Sequence, residues 1–159
     1  MLDQIKNPTV PKSLQKDFRI AIVAASWHKE IVSSLITGAR QTAIDCGMLE
    51  DHVTLFRVAG TYELPQMVEV LAATKKYDGI VPVGCVIKGE TNHFELICDT
   101  IAKSFDKIGR KNHVAVSFGV VSAYTIEQAV ARAGGDKGNK GSEAMAAAIA
   151  LALQVRSVL

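Results

Sequence analysis

Residues 79–95 read GIVPVGCVIKGETNHFE, and the fold turns on how this stretch is read. Gly79 to Ile87 carry no charge and are rich in valine and isoleucine, the composition of a strand buried on both faces as in a parallel sheet. After Lys88 and Gly89 the character changes. Glu90, Thr91 and His93 crowd together, and from Phe94 onward the apolar residues Phe94, Ile97, Ile101, Phe105 and Ile108 recur at intervals of three and four. That spacing predicts a helix from about Thr91 to Lys111 with those side chains on one face. His93 falls off the stripe, at the start of the helix, where a glycine-freed turn meets unpaired amide donors.

Working outward, the same alternation repeats. FRIAIVAA (18–25) is a first strand; Ser26 can cap the helix of about twenty residues that follows, and Gly47 supplies its stop. HVTLFRVAG (52–60) is a second strand, and Glu63 with Pro65 opens a helix to about Lys76, proline being tolerated in a first turn. HVAVSFGVV (113–121) is a fourth strand, followed by a short helix TIEQAVARA, a glycine-rich break GGDKGNKG with Gly134 as a helix C-cap, and an alanine-rich helix from about Ser142. The chain therefore reads as α/β: a three-layer sandwich with a four-stranded, mainly parallel sheet flanked by helices on both faces. In such sheets ligands bind beyond the carboxyl ends of the strands. That rule selects the loops 26–29, 60–65, 84–93 and 118–124, where the polar oddities of the sequence gather.

Bulk composition narrows the function. At 159 residues the chain has the length of one domain, expected over 18–159 behind an extended arm, 1–17, in which Pro8 and Pro11 oppose helix. That arm is either unstructured or laid on a neighbouring subunit. Eighteen Lys and Arg against sixteen Asp and Glu give a net charge of +2, too small and dispersed for a nucleic-acid or anionic-membrane partner. Cys46, Cys85 and Cys98 form no CxxC pair and sit in apolar segments, which fits a reducing cytoplasm. The first residues show neither a secretion nor an import pattern. The longest apolar run, Ala144 to Leu153, is half of what a membrane span needs.

Each polar cluster has two readings. The turn at Gly89 to His93 suits a phosphate or carboxylate at a helix N-terminus, or is an ordinary loop capped by Thr91; an imidazole there favours the first, because it moves protons near neutral pH. Glu90 and His93 have the Glu-x-x-His spacing of carboxylate-bridged metal sites, but no second copy accompanies them, and metal ranks below proton transfer. GGDKGNKGS lacks the order of a phosphate loop and joins two helices, so ATP is not expected; Lys140 can still reach an anion from it. Trp27, at the first strand's end, either stacks on a flat ligand or packs. Glu63 either accepts from ligand hydroxyls or complements a helix N-terminus. Arg132 either clamps a phosphate or complements a helix C-terminus.

GTYELP, GCVIKGETNHFE, SFGV and TIEQAVARAG followed by GNKG resemble, in order and spacing, the signature segments of the 6,7-dimethyl-8-ribityllumazine synthase family. The similarity runs from about Arg19 into the last helix. The resemblance implies a flavodoxin-like fold and a cofactor-free, metal-free transferase that joins 5-amino-6-(D-ribitylamino)uracil to 3,4-dihydroxy-2-butanone 4-phosphate, losing phosphate and water. By resemblance Trp27 stacks on the pyrimidine, where many relatives have Phe followed by Asn and this chain has His28. Thr61, Tyr62 and Glu63 hold the pyrimidine and its ribityl chain, and Cys85, Val86 and Ile87 line the pyrimidine pocket through main-chain groups. Glu90 and Thr91 bind the butanone phosphate through backbone amides, and His93 is the proton donor. Phe118 and Arg132 act from the adjacent subunit, on pyrimidine and phosphate respectively, with Lys140 nearby. The implied assembly is a pentamer with active sites between subunits. Because the junction before the last helix carries no insertion, it leans toward hollow shells of twelve pentamers, although Asp136 stands where a lysine is common. Lys88 receives no role.

Overall fold

A computed structural model describes residues 6–159; residues 1–5 of the expected arm lie outside the described residues. The main sheet holds β1 (Ile20–Ala25), β2 (Val53–Val58), β3 (Gly79–Ile87), β4 (Ala115–Val116) and β5 (Gly119–Ala123). The strands run in the order β2-β1-β3-β4, with β5 continuing beside β3 beyond β4, and every pairing is parallel. The helices are α1 (Lys29–Asp45), α2 (Leu64–Thr74), α3 (His93–Asn112), α4 (Ile126–Ala131) and α5 (Lys140–Val158).

Alternation along β1 shows why three layers form. Ile20, Ile22 and Ala24 point into a core shared with Val32, Leu35 and Ala39 of α1 and Met145, Ala148 and Ile149 of α5. Ala21, Val23 and Ala25 point the other way, onto Leu64 and Val68 of α2 and Ile101, Phe105 and Ile108 of α3. With period-two side chains, a strand buried on both faces must be apolar throughout, and all six β1 residues are fully buried. Glycines stand where neighbouring strands leave no room for a side chain. A Cβ at Gly79 would stand 2.7 Å from Ile20 Cδ1, and one at Gly119 only 2.5 Å from the Pro82 carbonyl oxygen.

Four local expectations are corrected. Ser26 does not cap α1: its hydroxyl donates to the Val58 carbonyl (2.7 Å) and its amide to Ala59 (3.2 Å), tying the end of β1 to β2. The helix starts three residues later, behind His28. The fourth strand is broken. His113 ends α3 in the left-handed region (φ 53°), and the strand ladder lapses between β4 and β5 at Ser117 and Phe118, although the Ser117 amide still donates to the Ile80 carbonyl of β3 (3.2 Å) and the register is the same on both sides. The glycine-rich break is a small antiparallel hairpin, β6 (Ala133–Gly135) with β7 (Gly138–Asn139), rather than a loose joint. Asn139 then caps α5, which puts Lys140 at the helix start instead of Ser142. The Asn139 side chain accepts from the Ser142 amide (3.1 Å) and donates to the Ser34 carbonyl of α1 (3.0 Å), bracketing the two helices.

Ahead of β1, residues 12–17 form turns and Val10 is buried, its amide donating to the Cys46 carbonyl (2.8 Å). Gln15 donates to the Gly47 carbonyl (2.9 Å). Among the described residues no helix is long and apolar enough to cross a membrane.

The far end of the sheet is closed by Asp78, just before β3. Its carboxylate accepts from Arg156 of α5 (2.6 and 3.2 Å) and from the Arg19 amide (2.9 Å). Charge-assisted bonds of this kind are worth about 1.5–3 kcal/mol, and the Arg156 side chain, 32% exposed against 14% for Asp78, places this pair toward the low end. Asp78→Asn should lower the thermal midpoint by about 2–6 °C at fixed protein concentration. An unchanged melting curve would contradict this clamp.

Candidate active site

The strand order 2-1-3-4 places a switch point between β1 and β3, where one connection leaves toward β2 and the chain later returns on the other side; a crevice opens beyond the strand ends there. Strand length deepens it. β3 pairs with β1 only up to Val83, whereas its pairing with β5 runs from Val83 to Ile87. From Gly84 onward, the β1-side edge of β3 faces loops instead of a strand. Backbone donors and acceptors left on such an edge must find partners, and a flat heterocycle with alternating N–H and C=O groups is one that fits.

Two loops border that edge. After β1, Trp27 is 70% exposed, unusual for the largest aromatic side chain. After β2, Thr61–Glu63 form a turn of 3₁₀ helix closed by Glu63, whose Oε2 accepts from the Gly60 amide at 3.1 Å. The loops meet at Gly60, where a Cβ would lie 3.4 Å from Trp27 Cδ1. Thr61 is buried with its hydroxyl toward Gly84 of β3, a Cβ there falling 3.2 Å from Thr61 Oγ1. Tyr62 is 58% exposed. Glu63 thus has one oxygen occupied by its own turn and stays at the surface. His28 also finds its explanation. It sits at φ 56°, ψ 55°, the left-handed region that Asn and His tolerate better than most residues, so His28 meets the same backbone demand as an Asn at that place.

Val86 and Ile87 are half-buried and Cys85 is buried. Burial pushes the Cys85 thiol up from 9.0 to about 11, so it stands in this wall as an uncharged group. Beyond it, Gly89, Glu90, Thr91 and His93 are all exposed. Gly89 is not in the left-handed region; instead, a Cβ there would meet nothing within 4 Å, so the glycine leaves open space over the turn. The cap position of α3 is Asn92, not Thr91, and its side chain makes no capping bond. Only a long contact, 3.4 Å, joins the His93 amide to Thr91 Oγ1. The first-turn amides are thus available to an anion. Among the described residues no group of three or more His, Cys, Asp or Glu is placed to hold a metal ion, Glu90 and His93 included.

A second group forms elsewhere. Phe118, between β4 and β5, packs edge-on against Phe105 with centroids 5.9 Å apart, and the Lys140 ammonium lies 5.8 Å from the Phe118 centroid. The Lys140 amide donates to the carbonyl of Arg132 (2.8 Å), whose side chain is exposed. Phe118, Arg132 and Lys140 are therefore brought together. Among the described residues, no hydrogen bond, ion pair or aromatic contact links them to Trp27, Glu63 or His93. Two surface clefts, one of about 330 Å³ beside Arg40 and Glu50 and one of about 440 Å³ beside Arg19 and Lys76, lie at neither group.

A parallel α/β sheet with an open strand edge, an exposed indole and an anion-ready helix start at its switch point is the arrangement of an α/β protein suited to small polar ligands. The family model for 6,7-dimethyl-8-ribityllumazine synthase matches residues 17–156, nearly the whole chain, and the chain belongs to that family. Its activity is the transferase reaction of riboflavin biosynthesis that makes 6,7-dimethyl-8-ribityllumazine from 5-amino-6-(D-ribitylamino)uracil and 3,4-dihydroxy-2-butanone 4-phosphate.

Because the folded Cys85 thiol holds its proton to higher pH than an exposed one, native protein at pH 8.5 should leave Cys85 unalkylated by iodoacetamide while half-buried Cys98 reacts. The same sign makes stability fall between pH 9 and about 11, where the unfolded chain has lost that proton and the folded one has not. Peptide mapping that finds Cys85 labelled as fast as Cys98 would refute this burial.

Proposed function

We propose that the reaction is carried out between two copies of the chain, each contributing one of the two groups described above. Trp27, Thr61, Tyr62, Glu63 and the β3 edge at Cys85, Val86 and Ile87 bind the ribitylaminouracil. Trp27 stacks on the ring, the strand edge pairs with its amide-like groups, and the free oxygen of Glu63 accepts from ribityl hydroxyls. Glu90 and Thr91 supply backbone amides to the butanone phosphate, and His93 moves protons. Phe118 and Arg132 of a neighbouring copy close the site over ring and phosphate, with Lys140 adding charge. The observation that carries this reading is that, among the described residues, Phe118, Arg132 and Lys140 form a contact group of their own with no direct contact to Trp27, Glu63 or His93. The open faces of Trp27 and Tyr62 support it.

The chemistry asks little beyond this. The 5-amino group attacks the ketone and water leaves as an imine forms. Loss of a proton from carbon then expels phosphate by β-elimination, the resulting enol becomes a ketone, and that carbonyl closes on the ribityl-bearing nitrogen with loss of a second water. Holding two substrates in reacting geometry is worth effective molarities on the order of 10⁵ M or more. His93, exposed at the start of α3, ferries protons among these steps, while Arg132 and the first-turn amides stabilise charge on the departing phosphate.

We further propose a pentamer, a ring being the natural outcome when unlike surfaces of identical chains meet. The tight hairpin β6–β7, without insertion, supports shell-forming capacity to the extent that the family's resemblance ties shells to that junction; sedimentation as a lone pentamer would refute the shell. Three free cysteines, two of them buried, support a cytoplasmic location.

Lumazine fluorescence above the spontaneous condensation tests the residue roles. His93→Ala should cut turnover by about 10- to 100-fold yet leave catalysis above background, because proximity survives loss of the proton carrier. Arg132→Ala should raise KM for the butanone phosphate by at least about tenfold, with pyrimidine affinity little changed, since one charge-assisted contact is lost. Equal losses for both substrates would contradict the phosphate role of Arg132, and wild-type turnover in His93→Ala would contradict proton transfer by His93.

A further inference from the structure

The turn that carries His93 is almost untethered on its own. Within residues 89–93 the only described side-chain bond is the long Thr91 contact, Gly89 has open space around it, and Asn92 does not cap α3. One residue spans the gap. Lys88 is fixed through its backbone, its amide donating to the Ala123 carbonyl at the end of β5 (3.0 Å). Its ammonium makes an ion pair with Glu95 in the first turn of α3, and lies 5.6 Å from the Phe94 ring centroid. Phe94 in turn packs on Tyr124, just past β5, at 5.9 Å. The carboxyl of Glu95 is held below its usual range chiefly by the Lys88 hydrogen bond.

We propose that Lys88 is a positioning residue: by joining the end of β3 to Glu95 across the Gly89–Asn92 turn, it sets where His93 and the first-turn amides of α3 stand, without touching substrate. The inference rests on the roles given above to His93 and the turn. Both partners are substantially exposed, at 39% and 52%, and exposed ion pairs add little to global stability. The pair acts instead by removing freedom from a short glycine-containing loop whose two ends it joins. A proton carrier and an anion cradle that share one turn are displaced together when that tether goes, and small misplacements of reacting groups are costly to rate. The alternative role for an ammonium at this place is direct attraction of the phosphate. The two roles oppose each other in Glu95→Gln: a tether is lost, whereas a direct phosphate ligand is released from its competitor.

The test is a double-mutant cycle of Lys88→Met and Glu95→Gln, with the charge-exchanged pair Lys88→Glu with Glu95→Lys as a rescue. Turnover is read against butanone phosphate, and amide hydrogen exchange over residues 89–96 is read in the free enzyme. Each single change should lower kcat/KM about three- to tenfold, the double change should be no worse than either, and the thermal midpoint should stay within about 2 °C, the pattern of two groups acting through one interaction. Amide exchange in the turn should quicken in the singles and slow again, with activity partly regained, in the exchanged pair. Additive losses, or a tighter KM for the phosphate substrate in Glu95→Gln, would overturn the tether while leaving the roles of His93 and the turn standing. Quickened, coupled exchange with unchanged turnover would overturn those roles, and this inference with them.

Discussion

The site depends on one mismatch in strand length. β3 runs nine residues, and its two neighbours release it at different heights: β1 pairs with it no further than Val83, while β5 accompanies it to Ile87. Had β1 continued, its backbone would have claimed the edge of Cys85, Val86 and Ile87 and sealed the crevice. It does not continue because Ser26 turns the chain toward β2, with amide and hydroxyl both bonded to the end of that strand. His28, in the left-handed region, then aims α1 away. A hydroxyl and one uncommon backbone conformation thus decide that the end of the sheet is open, and Trp27 stands between them as the residue left facing the opening.

What stood legible in the sequence was whatever rests on periodicity. The apolar runs of β1 and β3 and the stripe from Phe94 to Ile108 on α3 follow from side-chain spacing, which the packing of Ile101, Phe105 and Ile108 reproduces; the segment 118–124, expected as a loop, is instead strand β5 over Gly119–Ala123. What did not come through depends on partners distant in sequence. Ser26 has the residue type of a helix cap, but Val58, thirty-two positions away, claims its hydroxyl. HVAVSFGVV has a strand's composition from end to end, and the chain does run beside β3 in one register from Ala115 to Ala123; only the ladder lapses at Ser117 and Phe118, which composition does not reveal. The hairpin β6–β7 was hidden by its glycines, and Asn139, which caps α5 and reaches α1, reads locally as one more loop residue.

The same division holds for the site. Glycine, carboxylate and histidine in a row after an apolar strand were enough to suggest an anion and a proton carrier; the resemblance gave each a substrate. Two residues changed meaning once the fold was known. Gly89 matters for the empty space above it rather than for its backbone angles, and Lys88, silent in the sequence, gained a partner in the first turn of α3 from its own place outside that helix. Sequence also could not show that Phe118, Arg132 and Lys140 come together, since nothing in linear spacing says which groups share a surface. On the proposed reading that group completes the crevice of a neighbouring copy, which would give assembly a physical reason.

Whether the halves meet between copies is best measured by mixing. His93→Ala and Arg132→Ala chains can be unfolded together and refolded in equal amounts, and the product assayed for lumazine formation with butanone phosphate well below the wild-type KM. If each site takes His93 from one copy and Arg132 from the next around a closed ring, random mixing creates intact sites at about a quarter of the positions. Activity should then rise to about a quarter of the wild-type level, well above the mean of the two variants refolded separately. A mixture no more active than that mean would show that both residues serve the same site from one chain, and would contradict the inter-subunit site.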